Sequence, residues 1–261
     1  MALTTGESNL AAVSIHLHPT AGLAERVLLP GDPGRALRLA QELIDGPLMF
    51  NHHRGLWGYT GPARLDGAPL TIQSTGMGGP SAAIVISELI GLGARRLLRV
   101  GTCGGLDPDL GLGALLIATE AIADDGTSAA LTGGRARIDP SPELLAALRG
   151  AAAPAVGADP AVGPDATRSD ADAAVGPVVS TDLFYDAEDR HADWRAAGAR
   201  AVEMEAATLF ALGARHRVQT GALLVISDRL GAPAGHVRIG EDALEAAESR
   251  LGAVAVAALT G

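Results

Sequence analysis

Lysine is missing from this chain: all 20 of its basic residues are arginine. That absence excludes Schiff-base chemistry, a lysine general base and the phosphate-cradling lysine of a P-loop, and leaves planar, bidentate recognition of anions by guanidinium groups. Cysteine occurs once, as Cys103, so there is no intrachain disulfide and no cysteine-rich metal site, as suits a reducing compartment. Aromatic residues make up only 3% of the chain, so any adjacent aromatic pair stands out. The leading segment has no long apolar run and its first basic residue is Arg26. It resembles neither a signal peptide nor a membrane anchor, and a cytoplasmic protein with no membrane partner is expected. No like-charge block and no internal repeat is evident. The formal net charge of −10 argues against a nucleic-acid partner, because such a surface repels phosphate backbones. Any anion the protein binds needs a local basic pocket.

What is present is a core-forming chain: 261 residues with 48% hydrophobic content, enough for one α/β domain spanning 1–261. Apolar runs that read as buried strands recur at Arg26–Leu29, Pro69–Gln73, Arg96–Val100, Gly113–Ala118 and Gly221–Ile226. Segments with helical spacing intervene at Arg35–Leu43, Ser81–Leu92, Pro142–Ala151, Glu205–Leu212 and Glu241–Leu259. This alternation predicts a sheet flanked by helices on both faces. Trp57–Gly61 followed by Leu65-Asp66-Gly67 reads instead as a hairpin, so the sheet is expected to be mixed. About residues 152–177, rich in Ala, Pro, Gly and Asp, are expected to form a surface insertion with little order until about Val175.

Three glycine turns and one acidic junction carry the chemistry. Leu28-Leu29-Pro30-Gly31-Asp32-Pro33-Gly34-Arg35 ends a strand and opens a helix; Gly31 can bring its N–H close to an anion, with Arg35 near the helix start. Arg99-Val100-Gly101-Thr102-Cys103-Gly104-Gly105 repeats the pattern with an arginine and a hydroxyl. Two such junctions at neighbouring strand ends make a phosphate-sized pocket. Thr75-Gly76-Met77-Gly78-Gly79 is the third, with Met77 between glycines. Val202-Glu203-Met204-Glu205-Ala206 sets two carboxylates two residues apart between a strand and a helix, where α/β proteins present ligand-facing groups. Glu205 is expected in the first helical turn with lone pairs free for a vicinal diol such as that of ribose, although acidic residues also favour helix starts for dipole reasons. Glu203 reads either as an aid to sugar orientation or as a salt-bridge or helix-start residue.

Those segments, together with His53–Gly61, Asp182-Leu183-Phe184-Tyr185 and Ser227-Asp228, resemble in combination and order the nucleoside phosphorylase-I family, particularly bacterial purine nucleoside and uridine phosphorylases. The likeness runs from about His16 to Ile226. The resemblance implies a single α/β domain around a mixed, partly barrel-like sheet, assembled as homohexamers of paired subunits. It implies that Gly31, Arg35, Arg99 and Thr102 hold phosphate, with Arg54 reaching in from the adjacent subunit. Glu205 and the Met204 backbone would bind the ribose 2′- and 3′-hydroxyls, with Met77 against the sugar. His16 would contact the 5′-hydroxyl across the same interface, with His18 as its competitor. Phe184, next to Tyr185, would stack on the base.

The activity implied is phosphorolysis of the N-glycosidic bond of nucleosides, with inorganic phosphate as co-substrate and no cofactor. Asp228 occupies the position of the family's purine-specific aspartate and would deliver a proton to N7, which favours purines. Uridine phosphorylases read uracil with a Gln and an Arg after the aromatic pair; here that stretch is Glu188-Asp189-Arg190. The purine enzymes pair their aspartate with an arginine; a direct count lands on Glu241, leaving Arg229 and Arg238 as candidates. Uridine phosphorylase activity is thus the alternative, and a purine nucleosidase using water is a further one, against which Arg35 and Arg99 weigh. His52-His53 and His16-x-His18 lack a third ligand at metal-binding spacing, so no metal is expected. Gly101-x-x-Gly104-Gly105 lacks the dinucleotide fingerprint.

Overall fold

Val27, Leu28 and Leu29 are all buried, although successive strand residues point to opposite faces. The strand they form, β1 (Arg26–Leu29), therefore lies in a sheet covered on both sides. The computed structural model describes residues 14–153, 173–185, 190–232 and 235–260. Along them β1 is followed by α1 (Pro33–Leu43), β2 (Leu48–Asn51), β3 (Gly58–Pro62), β4 (Pro69–Gln73), α2 (Gly79–Leu92), β5 (Arg96–Gly105) and β6 (Leu115–Asp124). Then come α3 (Gly126–Thr132), β7 (Arg137–Ile138), α4 (Pro142–Ala152), β8 (Ala174–Thr181), α5 (His191–Ala196), β9 (Ala201–Glu203) and α6 (Ala206–His216). The last three are β10 (Gln219–Ala232), β11 (Gly235–Arg238) and α7 (Glu241–Leu259).

The strands join one mixed sheet in the order β11, β10, β6, β8, β9, β5, β1, β4, β3, β2, with β7 on β6 and an additional pairing of β10 with β5. That extra pairing closes β10, β6, β8, β9 and β5 into a ring and leaves β1 to β2 as an open wing, the partly barrel-like sheet expected. One face packs Leu29, Leu97 and Ile226 against Ile86 of α2 and Leu209 and Phe210 of α6. The other packs Leu28, Leu98 and Val225 against Leu39 of α1, Leu148 of α4 and Leu251 of α7. The expected hairpin is β3 and β4, antiparallel with Tyr59 opposite Ile72.

The fork in the sheet positions the site. One edge of β5 pairs with β10 from Arg96 to Gly105. Its other edge runs with β1 as far as Arg99, opposite Leu29, and meets β9 at Gly104, opposite Val202. Between those points β5 has left one neighbour and not yet gained the next. Such a division of strand order is where open α/β sheets form their ligand crevice.

Some expectations are corrected. The strand β8 starts at Ala174, so the last residues assigned to the insertion belong to the sheet, held in parallel register against β6 with Val175 opposite Ile117. Residues 154–172 of that insertion lie outside the described residues. The helix α6 begins at Ala206, with Glu205 as its N-cap, rather than at Glu205. The short elements β2, α3 and α5 have no counterpart among the expected segments.

The segment before β1 is fastened to α2 by one carboxylate. Glu88 accepts from the Ser14 hydroxyl at 2.6 Å, the His16 N–H at 3.0 Å and the Leu17 N–H at 2.8 Å, and pairs with His16 Nδ1 at 2.7 Å. Burial alone would raise the Glu88 carboxyl, but Ser14, Leu17 and His16 outweigh it and bring the pKa down to about 2. A carboxylate whose folded pKa is depressed stabilises above its ordinary value and loses that contribution as pH falls through the folded one. Glu88→Gln is therefore expected to cost about 2 kcal/mol near neutrality. The gap to wild type should close as pH drops from about 4.5 to about 2. Urea denaturation at a series of pH values reads this, and a gap independent of pH would contradict it.

Candidate active site

At the fork, Arg99 lies buried between two carboxylates. Its Nη2 is 2.5 Å from Glu205 Oε2, and its Nε is 2.7 Å from Glu203 Oε2. The Nε hydrogen is not directed at an acceptor, so the second contact is coulombic rather than a well-aimed hydrogen bond. Gly101 makes this reach feasible: a Cβ there would stand 3.0 Å from Arg99 Cζ, so the guanidinium lies along the strand where a side chain would otherwise be. Leu29, Thr75, Ala82, Ile86 and Leu209 pack closely around Arg99 and Glu205.

Glu203 and Glu205 divide their work. The Glu203 carboxylate accepts from the N–H of Glu205 at 2.8 Å and of Ala206 at 3.0 Å. It also accepts from the Ser180 hydroxyl, whose oxygen takes the Ala207 N–H at 2.9 Å. Glu203 thus caps the orphan N–H groups that open α6, and its side chain is 0% exposed. Of its two readings the structure shows the helix-start and salt-bridge one, and brings no open face of Glu203 to a sugar. Glu205 accepts from the Gly78 N–H at 2.5 Å through Oε1, so its oxygens are engaged rather than free as expected. Burial raises the Glu205 carboxyl, and Arg99 only partly offsets it. For Arg99, burial would lower the guanidinium, but Glu205 and Glu203 outweigh it and raise it.

The glycine turns converge on this pair. A Cβ at Gly31 would stand 3.2 Å from the Gly76 carbonyl oxygen, and the Thr75 N–H donates to the Pro30 oxygen at 2.9 Å. Gly76 and Gly78 have φ of +73° and +82°, the region glycine enters without strain. They turn the Gly78 N–H toward Glu205 and leave Met77 84% exposed at the rim. Arg35 contributes to the field at Glu205, while its Nε pairs with Glu248 of α7 at 2.6 Å. Arg38 holds the other Glu248 oxygen. Thr102 lies partly exposed on β5 within the fork. Met204 is partly buried between the two glutamates.

Asp228 lies further along β10, opposite Gly104 of β5. Its Oδ2 accepts from the Ser227 hydroxyl at 2.7 Å, and its Oδ1 is 2.9 Å from His236 Nε2. Arg238 Nη1 approaches to 3.8 Å; Arg229 turns away and donates to the Pro108 oxygen at 3.1 Å. Glu241 is the first residue of α7. Burial pushes the Cys103 thiol up, which makes it a poor nucleophile. Phe184 and Tyr185 form an edge-to-face pair 5.0 Å apart, both exposed. Arg190 is engaged elsewhere, with Asp124 and over the Trp194 ring at 5.6 Å; Glu188 and Asp189 lie outside the described residues.

The remaining candidates sit together beyond the glycine turns. His53 stacks on His18 at 3.8 Å and contacts the His16 carbonyl oxygen at 3.0 Å through Nδ1. Arg54 follows in the left-handed region, φ 58°, with its side chain exposed. Neither His16 nor Arg54 is brought to Arg99 within one chain. Among the described residues no group of three or more His, Cys, Asp or Glu could hold a metal ion, and no helix is long and apolar enough to cross a membrane.

Two residues of the site were missed in the sequence. Glu248, buried in α7, carries no local sign of its pairing with Arg35. His236 does: Gly231-Ala232-Pro233-Ala234-Gly235 is turn-forming sequence, and a hairpin there folds His236 back toward Asp228.

An α/β fold with a cation and two carboxylates at the fork of a ring-closed sheet defines the class. A family model described as the phosphorylase superfamily matches residues 25–260, and the chain belongs to this family. It is 36% identical over 221 residues to a DeoD-type purine nucleoside phosphorylase of Exiguobacterium sibiricum, covering 84% of this chain and 88% of that protein. It is 37% identical over 207 residues to a guanosine phosphorylase of Halorubrum lacusprofundi, covering 79% of each. Among solved structures, a uridine phosphorylase from Vibrio fischeri shares the fold with a TM-score of 0.74 at 24% identity, covering 91% of both chains.

Removing Glu203 leaves a buried cation short of a partner and two helix N–H groups uncapped. Glu203→Ala is expected to cost about 3–5 kcal/mol, measurable by chemical denaturation. Glu205→Gln, which leaves Arg99 its other carboxylate, should cost clearly less; equal losses would contradict the division of roles.

Proposed function

We propose that the protein cleaves purine nucleosides by phosphorolysis, giving the free base and a pentose 1-phosphate. The observation that carries this reading is the 2.5 Å contact of Arg99 with Glu205: a cation that would bind phosphate lies beside a carboxylate that would bind the ribose diol. Phosphate would be shared among Arg99, Arg35, Thr102 and the Gly31 N–H. Glu205 and the Met204 backbone would take the ribose 2′- and 3′-hydroxyls, with Met77 as the rim against the sugar. The phosphate dianion then lies below C1′, where its charge stabilises the cation that develops as the C–N bond opens. Phosphate is a co-substrate, and no cofactor is invoked.

Asp228 would neutralise the departing base, and Phe184, which is exposed, would stack on it. Purine is favoured over uracil because Arg190, the residue the uracil reading needs, is held by Asp124 and Trp194. The names of the two curated relatives support the same choice. Water in place of phosphate is disfavoured because hydrolysis would have no use for two guanidinium groups, Arg35 and Arg99, suited to an oxyanion.

A second copy completes this reading. Arg54 is exposed with its backbone in the left-handed region, and Ile15, Met49 and Trp57 are exposed too, apolar side chains that a neighbouring subunit would cover. Paired subunits, grouped as a homohexamer, would then bring Arg54 and His16 to each other's sites. A role in cytoplasmic nucleoside salvage accords with this chemistry.

Base release from inosine or guanosine is expected to require added phosphate. Arg99→Ala should lower kcat/KM for phosphate roughly 10²–10³-fold, as for loss of one preorganised donor. Turnover of either nucleoside at full rate without phosphate would overturn the proposal in favour of a nucleosidase.

A further inference from the structure

We infer that His236 is a positioning residue that aligns and reprotonates Asp228, so that the two side chains deliver one proton to the departing purine. This deepens the phosphorolysis reading and rests on it. The hairpin of β10 and β11 creates the pair: Asp228 faces Arg238 in antiparallel register, and His236 lies two residues earlier on β11, hence on the same face. The contact from His236 Nε2 to Asp228 Oδ1 is 2.9 Å, and the Ser227 hydroxyl holds the other carboxylate oxygen at 2.7 Å. The carboxylate side chain is 12% exposed and the imidazole 56%, so the aspartate is shielded while the histidine exchanges protons with solvent.

The chemistry requires such a source. A carboxylate has no proton of its own to give, whereas an imidazole open to solvent can take one up and pass it on. Arg238 supplies positive field but cannot release a proton. Among the described residues, Cys103 on β5, which burial keeps as a thiol, also bears on Asp228, while the neighbouring Arg229 is bound to Pro108.

In the step, a phosphate oxygen forms the bond to C1′ while the C1′–N9 electron pair passes into the purine ring. The His236 Nε2 proton moves to Asp228, which passes one proton on to N7, so that Asp228 ends the step as a carboxylate and His236 as a neutral imidazole. The free base leaves neutral, protonated at N7. The phosphate ester releases to solvent the proton that the attacking hydrogen phosphate carried, and solvent reprotonates His236, so the enzyme is regenerated.

The test compares His236→Gln with wild type on inosine and on 7-methylinosine, both with phosphate. The N7 of the second substrate is already alkylated and cationic, so its base departs without a proton. The variant is expected to lose kcat on inosine by roughly tenfold or more. Its pH profile of inosine turnover should differ from that of wild type, yet it should cleave 7-methylinosine at close to the wild-type rate. Equal losses on both substrates would mean a structural role, and unchanged inosine turnover would mean none; either overturns the inference while leaving phosphorolysis intact. Wild-type enzyme that releases base from neither substrate would overturn both readings. Retained 7-methylinosine cleavage also shows that the variant is folded.

Discussion

The structure depends on one buried cation held between two carboxylates. Taking Arg99 out of water costs several kcal/mol, and the attraction of Glu203 and Glu205 offsets that only because both lie within ion-pair distance. Everything that brings them there is backbone: Gly101 leaves room for the guanidinium, the fork opens the β5 edge, and β9 delivers Glu203 at the start of α6. Glu203 then caps the helix while Glu205 reaches the Gly78 N–H. One ion pair thus ties the ring-closed sheet to α6 and to the turn that opens α2.

The same arrangement ties the other groups of the site to the frame. Arg35 is held by Glu248, Asp228 by Ser227 and His236, and the Gly31 and Gly76 turns touch one another. Groups fixed before a substrate arrives have less entropy to lose when the reacting atoms are aligned. In a chain without lysine, each of these cations is a planar guanidinium, suited to a tetrahedral oxyanion on one side and a carboxylate on the other.

Much of the fold was legible in the residues. Continuous apolar runs such as Arg96–Val100 and Gly221–Ile226 marked strands buried on both faces, and α7 ends where its periodicity does. The strand β8 was not legible at its start, because Ala174-Val175-Gly176-Pro177 has weak strand propensity and is held by parallel pairing with β6 instead. Closure of the ring could not be read either, since it depends on β10 meeting β5 across more than a hundred residues. In the site, the glycine turns, Arg99 and Glu205 were visible as motifs. The fate of Glu203 was not, because whether a carboxylate caps its own helix or faces a ligand is decided by where β9 stops. Glu248 was invisible for a similar reason: its partner Arg35 lies 213 residues away.

The central claim is that Arg99 and Glu205 share their charges with substrate, the first with phosphate and the second with the ribose diol. A crystal structure with phosphate and an unreactive purine nucleoside analogue tests it most directly. The account predicts phosphate oxygens on the Arg99 guanidinium and the 2′- and 3′-hydroxyls on Glu205, with Glu203 still capping α6. Phosphate and sugar bound elsewhere, with Arg99 still closed onto both carboxylates, would contradict it.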